Sequence, residues 1–365
     1  LIADICDFTS RFESISGLGA RGAEQVSSEV SQTLSAVVEV CGRHGGWPVG
    51  FAGDAVTLVF PDGAGAAARA RSELQAQGGQ GLLPLRVSVG DGAVCWDVIP
   101  MDGWTWFSFQ GSALRLASGP QPECAAKPGA PASAAESPGL GMPPANAEQF
   151  MPPHLFPQGF VNEFRHVTSI FLSVENRAGK DCPRGFQELV LEEAASLGGY
   201  VSGLEAGADD YRILVVLGAP LSREDDADRC DALLERVFAG ASGRVRAGAA
   251  RGLVFSGLVS TPLLDSYTVL GPSVNLAARL HDAAGWNSVL AGPVFARTSR
   301  LAVEGGREML LKGMADPVSA QLLSAWKRRK AARDAVPPLL GRQRELEELS
   351  EALNGAERTV LLCGE

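Results

Sequence analysis

One succession of signals occurs twice along this chain, and that repetition limits the possible folds more than any single segment does. In the first occurrence the apolar run Leu1-Ile2-Ala3-Asp4-Ile5 has strand character. A helix follows, with Val26, Val30, Leu34, Val37, Val38 and Cys41 recurring at three- and four-residue steps and Glu29, Gln32 and Glu39 on the other face. Gly45-Gly46 stops it, and two apolar runs around a Gly53-Asp54 turn predict a β-hairpin. A helix over 64–76 and a strand near 85–89 complete the pattern. The second occurrence keeps the order: a strand over 167–174, an amphipathic helix around 186–197, Gly198-Gly199, and a hairpin ending in 213–217. Two diverged copies of one unit are therefore expected. Between them, residues 118–158 are dominated by Pro, Ala, Gly and Ser, which cannot bury enough apolar area to fold, so this stretch is a predicted linker.

Bulk properties agree with two cores and a remnant: 365 residues, 45% apolar and 20% charged, as in globular proteins. No stretch approaches the roughly 18 uninterrupted apolar residues that a membrane helix needs, so a cytoplasmic protein without a membrane span is expected. A formal charge of −10 argues against a nucleic-acid partner, and an anionic ligand would need local cations. Seven cysteines without a C-x-x-C pair predict reduced, mostly buried thiols rather than a zinc site or a disulfide framework. The chain opens inside a strand, and "LLGRQRELEELSEAL" and "TVLLCGE" follow a basic stretch at Lys327–Lys330. The expectation is a piece of a longer protein whose third domain begins near the end.

Two constellations carry chemistry. In the first copy Asp4 lies where a strand gives way to a loop and helix, and Asp54 lies in the hairpin turn. If those strands are neighbours, both carboxylates emerge at one sheet edge, where two hard oxygen ligands suit Mg²⁺ against phosphates. Backbone N–H groups of Cys6, Asp7, Phe8 and Thr9, entering the helix, are candidate phosphate donors. Ordinary turn chemistry explains a Gly-Asp pair equally well. In the second copy, "YTVLGPSVNLAARL" starts a helix at Pro272-Ser273, so Asn275 and Arg279, four apart, share one face. An amide beside a guanidinium can orient a sugar oxygen and neutralise charge on a phosphate, and a capped surface helix is the alternative.

The segments "ADICDFT", "RGAEQ", "GGWPVGFAGDAV", "YTVLGPSVNLAARL" and "LLKGMADP" together resemble the class III nucleotidyl cyclases, and more closely the bicarbonate-responsive soluble adenylyl cyclases, in which tandem cyclase domains precede an NTPase module similar to "LLGRQREL". The resemblance implies an α+β fold: two ferredoxin-like cyclase domains packed as a pseudo-twofold, heterodimer-like pair. Its boundaries would be a first domain at 1–117, the linker at 118–158, a second domain at 159–326, a basic linker at 327–337 and the start of an AAA-type NTPase domain at 338–365. It implies that Asp4, Asp54 and the Ile5 carbonyl hold two Mg²⁺ (or Mn²⁺), that Phe8 and Thr9 lie against the phosphates, and that Asn275 places the ribose. Arg279 would stabilise the α-phosphate, Thr268 would contact adenine and Lys312 would bind the triphosphate. The implied activity is conversion of ATP to cyclic AMP and pyrophosphate, with a catalytically weak nucleotide-sensing module and a guanylyl cyclase as alternatives. A stand-alone ATPase is disfavoured, since no G-x-x-x-x-G-K-[ST] loop occurs before Glu365.

The two copies complement each other. Ser173 stands in the second where the first has Asp4, and Arg115 in the first where the second has Asn275, so one composite site is expected. The remaining pseudosite would be a place for a regulator such as bicarbonate, with Arg115 its cation. Asp209 and Asp210, near the second acidic position, are taken as exposed turn residues. The sequence departs from the family at Gly203 and Gly50, where an adenine-recognising lysine and its counterpart are expected, at Ser88 in place of a basic residue, with Arg86 two residues away as a substitute, and at Asp7 in place of glycine.

Overall fold

A computed structural model describes residues 1–6, 8–76, 83–119, 161–176, 181–207, 210–311, 314 and 316–328. The first half runs β1 (Ile2–Ile5), α1 (Phe8–Ser16), α2 (Ala20–Arg43), β2 (Trp47–Ala52), β3 (Ala55–Val59), α3 (Ala64–Ala76), β4 (Leu85–Ser88), β5 (Cys95–Met101), β6 (Trp104–Gln110) and α4 (Ser112–Ser118). The second runs β7 (Glu163–Val174), α5 (Arg184–Ser196), β8 (Tyr200–Ala206), β9 (Tyr211–Leu217), α6 (Asp226–Gly240), β10 (Val245–Ser260), β11 (Asp265–Leu270), α7 (Pro272–Ala283), β12 (Ser288–Ala291), α8 (Pro293–Thr298), β13 (Leu301–Met309) and β14 (Val318–Arg328). Helices and strands mix as α+β, and the repeat seen in the sequence returns as topology. The four-stranded sheet has the order β2-β3-β1-β4, and the eight-stranded sheet contains β8-β9-β7-β10 in the same relation. The predicted hairpin forms around Gly53, whose φ of 63° favours a residue without Cβ.

The two halves are joined through their cores. Each sends a two-stranded ribbon across: β5–β6 from the first, and the end of β10 with β11 from the second. Ile99, Trp104 and Trp106 enter the core built on α5, β7 and β9, while Phe255, Val259 and Leu270 enter the core built on α1, α2 and β1. Period-two alternation explains this for β6, where Trp104, Trp106, Ser108 and Gln110 are buried between less buried neighbours. Hydrogen bonds fix both crossings. Ser27 Oγ donates to the Leu258 carbonyl at 2.8 Å and the Ser260 N–H donates to Ser31 Oγ at 3.1 Å. In the reciprocal contact Ser108 Oγ donates to Gln187 Oε1 at 2.8 Å, and Gln110 Oε1 accepts from the Cys182 N–H at 2.6 Å.

The thiol expectation needs a correction. Cys41, Cys95, Cys182 and Cys230 are free, with Cys95 exposed, but Cys6 is disulfide-bonded. Among the described residues, no helix is long and apolar enough to cross a membrane.

Because Phe255 is fully buried in a core that belongs mainly to the other half, its loss opens a cavity where that core cannot collapse. Phe255→Ala should cost about 3–5 kcal/mol of unfolding free energy, read by urea unfolding of the whole chain, and a loss below about 1 kcal/mol would mean that the first half does not depend on the crossing.

Candidate functional site

Asp4 and Asp54 meet at one edge of the first half's sheet. Asp4 faces Ala55 on β3, the next residue after Asp54, and the Ile5 N–H donates to the Asp54 carbonyl at 3.2 Å. On the other side Asp4 faces Arg86 on β4, whose Nη1 lies 3.3 Å from Asp4 Oδ2. Ile5 ends β1, and Phe8 is buried at the start of α1. The Cys6 N–H is already committed to the Pro84 carbonyl at 2.7 Å, so it is no phosphate donor. Asp7, Lys312 and the side chain of Thr9 lie outside the described residues.

The second half brings its own groups to this edge. Gly203 on β8 comes so close to β2 that a Cβ there would stand 3.7 Å from the Phe51 carbonyl, and a Cβ at Gly53 would stand 3.8 Å from Leu270. Asn275 and Arg279 lie one turn apart on α7, the first exposed and the second partly so. Helix α7 is seated closely on β10 because residue 248 is glycine: a Cβ there would fall 2.3 Å from the Ala277 carbonyl oxygen and 2.1 Å from the His281 nitrogen. Thr268 on β11 is 2% exposed. Gly50 has open space around it, so neither Gly50 nor Gly203 offers a side chain to read a base.

The charges of this edge act on one another across the two halves. Burial pushes the Asp4 carboxyl up to about 6; Arg86 and then Arg279 work against that rise, and Glu205 adds to it. Burial first, and the Asp4 charge second, push Asp54 up to about 8, with Glu205 again adding. Solvent moderates the Asp4 rise, since 32% of its side chain remains exposed. Arg279 on α7 and Glu205 on β8 are therefore within electrostatic reach of a carboxylate on β1. Glu205 was not a sequence-derived candidate. Its signal, a carboxylate two residues beyond Gly203 on the same strand, carries no chemistry until the two halves are brought together.

The register shows what the other copy holds at matching positions. Ser173 faces Arg246 as Asp4 faces Arg86. Continuing the β7–β9 pairing one step beyond Leu172 opposite Ile213 sets Arg212 against Ser173, so the residue matching Asp54 is Tyr211, not Asp209 or Asp210. Asp210 is not a free turn residue either: it pairs with Arg246 at 2.7 Å, and both side chains are less than a fifth exposed. Asp209 lies outside the described residues. The Tyr211 hydroxyl accepts from the Gly111 N–H at 2.7 Å and donates to the Gly111 carbonyl at 3.0 Å, which seals the position. Gly111 and Gly271 are the N-caps of α4 and α7. Four residues on from each stand Arg115 and Asn275, and eight on stand Gly119 and Arg279. Arg115 is ion-paired with Asp181, so the cation nominated for bicarbonate already has a partner. Ser88 is consumed too, donating to the Ala117 carbonyl at 2.6 Å.

Among the described residues, no group of three or more His, Cys, Asp or Glu side chains is assembled to hold a metal. The acidic pair nevertheless has the donor chemistry for one. Its oxygens are hard ligands, and the Asp4 charge helps to push the Asp54 carboxyl up, an effect that a divalent cation would reverse.

No protein-family model matches this chain, and no curated protein matches it. Solved structures with some likeness include the guanylyl cyclase Cya2, at 20% identity over 47% of this chain and 97% of that one, with a TM-score of 0.36. The adenylyl cyclase CyaB from P. aeruginosa shares 18% identity over 44% of this chain and 95% of its own, at 0.35. The guanylate cyclase domain of RhGC from Catenaria anguillulae, solved with GTP, shares 20% over 45% and 97%, at 0.36. Likenesses of this strength do not assign the chain to a family.

Only ionised carboxylates bind a metal, so Mn²⁺ affinity should rise as pH goes from about 6 to about 8, the window set by Asp4 and Asp54. Calorimetric titration without nucleotide tests this, and an affinity independent of pH would remove the pair as ligands.

Proposed function

We propose that this chain is a nucleotidyl cyclase that converts ATP to 3′,5′-cyclic AMP and pyrophosphate at one composite site between its two halves, arranged as a pseudo-twofold pair. The observation that carries the reading is the convergence of Asp4 and Asp54 from one half with Arg279 from the other, at positions where the matching residues are Ser173, Tyr211 and Gly119. Each half supplies what its counterpart has lost. Two Mg²⁺ or Mn²⁺ held by Asp4, Asp54 and the Ile5 carbonyl would, when bound, acidify the ribose 3′-hydroxyl and neutralise the departing pyrophosphate.

The protein's own groups do the positioning. Asn275, exposed on α7, orients the ribose so that its 3′-oxygen lies in line with the α-phosphorus. Arg279, one turn on, faces the charge that grows on the α-phosphoryl oxygens as the new O–P bond forms and the bond to pyrophosphate breaks. Arg86 adds a second cation on the Asp4 side. Thr268 offers a hydroxyl to the base, and with glycine at 50 and 203 it bears most of the choice between adenine and guanine.

That sparse base recognition favours a second reading, in which the cleft binds nucleotide as a sensor and turns it over slowly. Product analysis separates the readings. With ATP and Mg²⁺ or Mn²⁺ the intact protein should form cyclic AMP faster than cyclic GMP from GTP. Asp54→Ala should lower the rate at least about a hundredfold, and Arg279→Ala should lower kcat by a similar factor while KM moves by less than about threefold. Nucleotide binding with no product above the Asp54→Ala background would leave the sensor, and a preference for GTP would make the protein a guanylyl cyclase.

A further inference from the structure

Arg279 has two carboxylates within its influence: Asp4 across the cleft and Asp282 on its own helix. Its Nη1 lies 3.9 Å from Asp282 Oδ2, a loose ion pair with both side chains nearly half exposed. The opposite oxygen, Asp282 Oδ1, is not loose. It accepts from Arg212 Nη1 at 3.0 Å, and Arg212 donates through Nε to Glu205 Oε2, also at 3.0 Å. Arg212 itself is only 18% exposed and lies over the Phe171 ring at 4.8 Å. A planar guanidinium held by two carboxylates and a ring face is fixed in orientation as well as in place. Its effect is to present Asp282 Oδ2 to Arg279 from a rigid position that a lone helical pair would not give.

Without that anchor, Asp4, whose carboxyl already feels the Arg279 charge, is left to draw the guanidinium, where it would compete with a metal ion. We infer that Asp282, fixed by Arg212, is a positioning residue that holds Arg279 off Asp4 until an anionic substrate draws the guanidinium away. The 3.9 Å contact suits this role, because a phosphate in the cleft outbids a solvent-exposed carboxylate at that separation. The inference rests on the reading of the cleft as a metal–nucleotide site.

Mn²⁺ binding to the whole chain without nucleotide, followed by electron paramagnetic resonance, tests it in Asp282→Asn, Arg279→Ala and the double variant. Asparagine keeps an acceptor for Arg212 at a half-exposed position, so unfolding is not expected, and a thermal melt checks that. Asp282→Asn should weaken Mn²⁺ binding at least about threefold, while Arg279→Ala does not weaken it and the double variant behaves like Arg279→Ala. Wild-type affinity in Asp282→Asn, or the same weakening in the double variant, would overturn the positioning role while leaving the metal site standing. No Mn²⁺ binding by any of the proteins at millimolar concentration would instead remove the metal site, and the inference with it.

Discussion

Everything at the cleft depends on the reciprocal crossing of the two ribbons. A four-stranded sheet packed with α1, α2 and α3 is a small core, and in this protein it is completed by Phe255, Val259 and Leu270 from the other half. The larger sheet receives Ile99, Trp104 and Trp106 in return. Burial on both sides makes the relative placement of the halves part of folding rather than a later docking event. The catalytic proposal needs that rigidity. Asp4 and Arg279 come from opposite halves, and a misplacement of about 1 Å between groups of this kind can cost a hundredfold in rate.

The same exchange generates two equivalent edges, and the structure spends them differently. At one edge Asp4, Asp54 and Arg86 gather, with Arg279 of the other half within electrostatic reach of Asp4. At the other, Tyr211 takes the place of Asp54 and its hydroxyl closes on the Gly111 backbone, while Arg115 and Arg246 are neutralised by Asp181 and Asp210. Ser173 uses its hydroxyl on the Tyr211 carbonyl at 2.8 Å and lies 2.7 Å from the buried His281 Nε2. Every polar group named there has a protein partner. The second edge therefore contributes stiffness to the first, because it ties α4, β9 and α7 into one network at a position where a functional cleft would be open.

Much of this was legible in the sequence, where the signal was periodic or punctuated. Helix α2 follows from its three- and four-residue apolar spacing, the β2–β3 hairpin from Gly53-Asp54, and the shared face of Asn275 and Arg279 from their separation on a helix begun by Pro272. What escaped was pairing. Glu205, Arg212 and Asp282 look like ordinary surface charges on strands and a helix, and only the tertiary fold makes them partners. The match of Tyr211 to Asp54 was hidden because the sequence just before β9 carries two acidic residues beside the tyrosine; register, which decides the matter, is not written in composition. The ribbon β5–β6 escaped for a related reason, since its buried face is covered by the other half and its exposed face carries Trp96 and Val98, so hydrophobicity does not alternate cleanly.

Taken in order, the charges of the cleft alternate: Arg86 beside Asp4, then Arg279 between Asp4 and Asp282, then Arg212 between Asp282 and Glu205. In a protein with a formal charge of −10, this string keeps the ligand-free cleft close to local neutrality at the price of holding carboxylates and guanidinia against one another. On the proposed reading, a metal ion and a polyphosphate arriving together exchange partners with the string: cation to carboxylate and phosphate to guanidinium. Neither ligand alone completes that exchange, since a metal by itself takes Asp4 from Arg86 and a phosphate by itself meets Asp4 and Asp54. Alternating charge thus couples the binding of the two ligands without any moving domain, and it confines the strongest coupling to the one edge where both halves contribute.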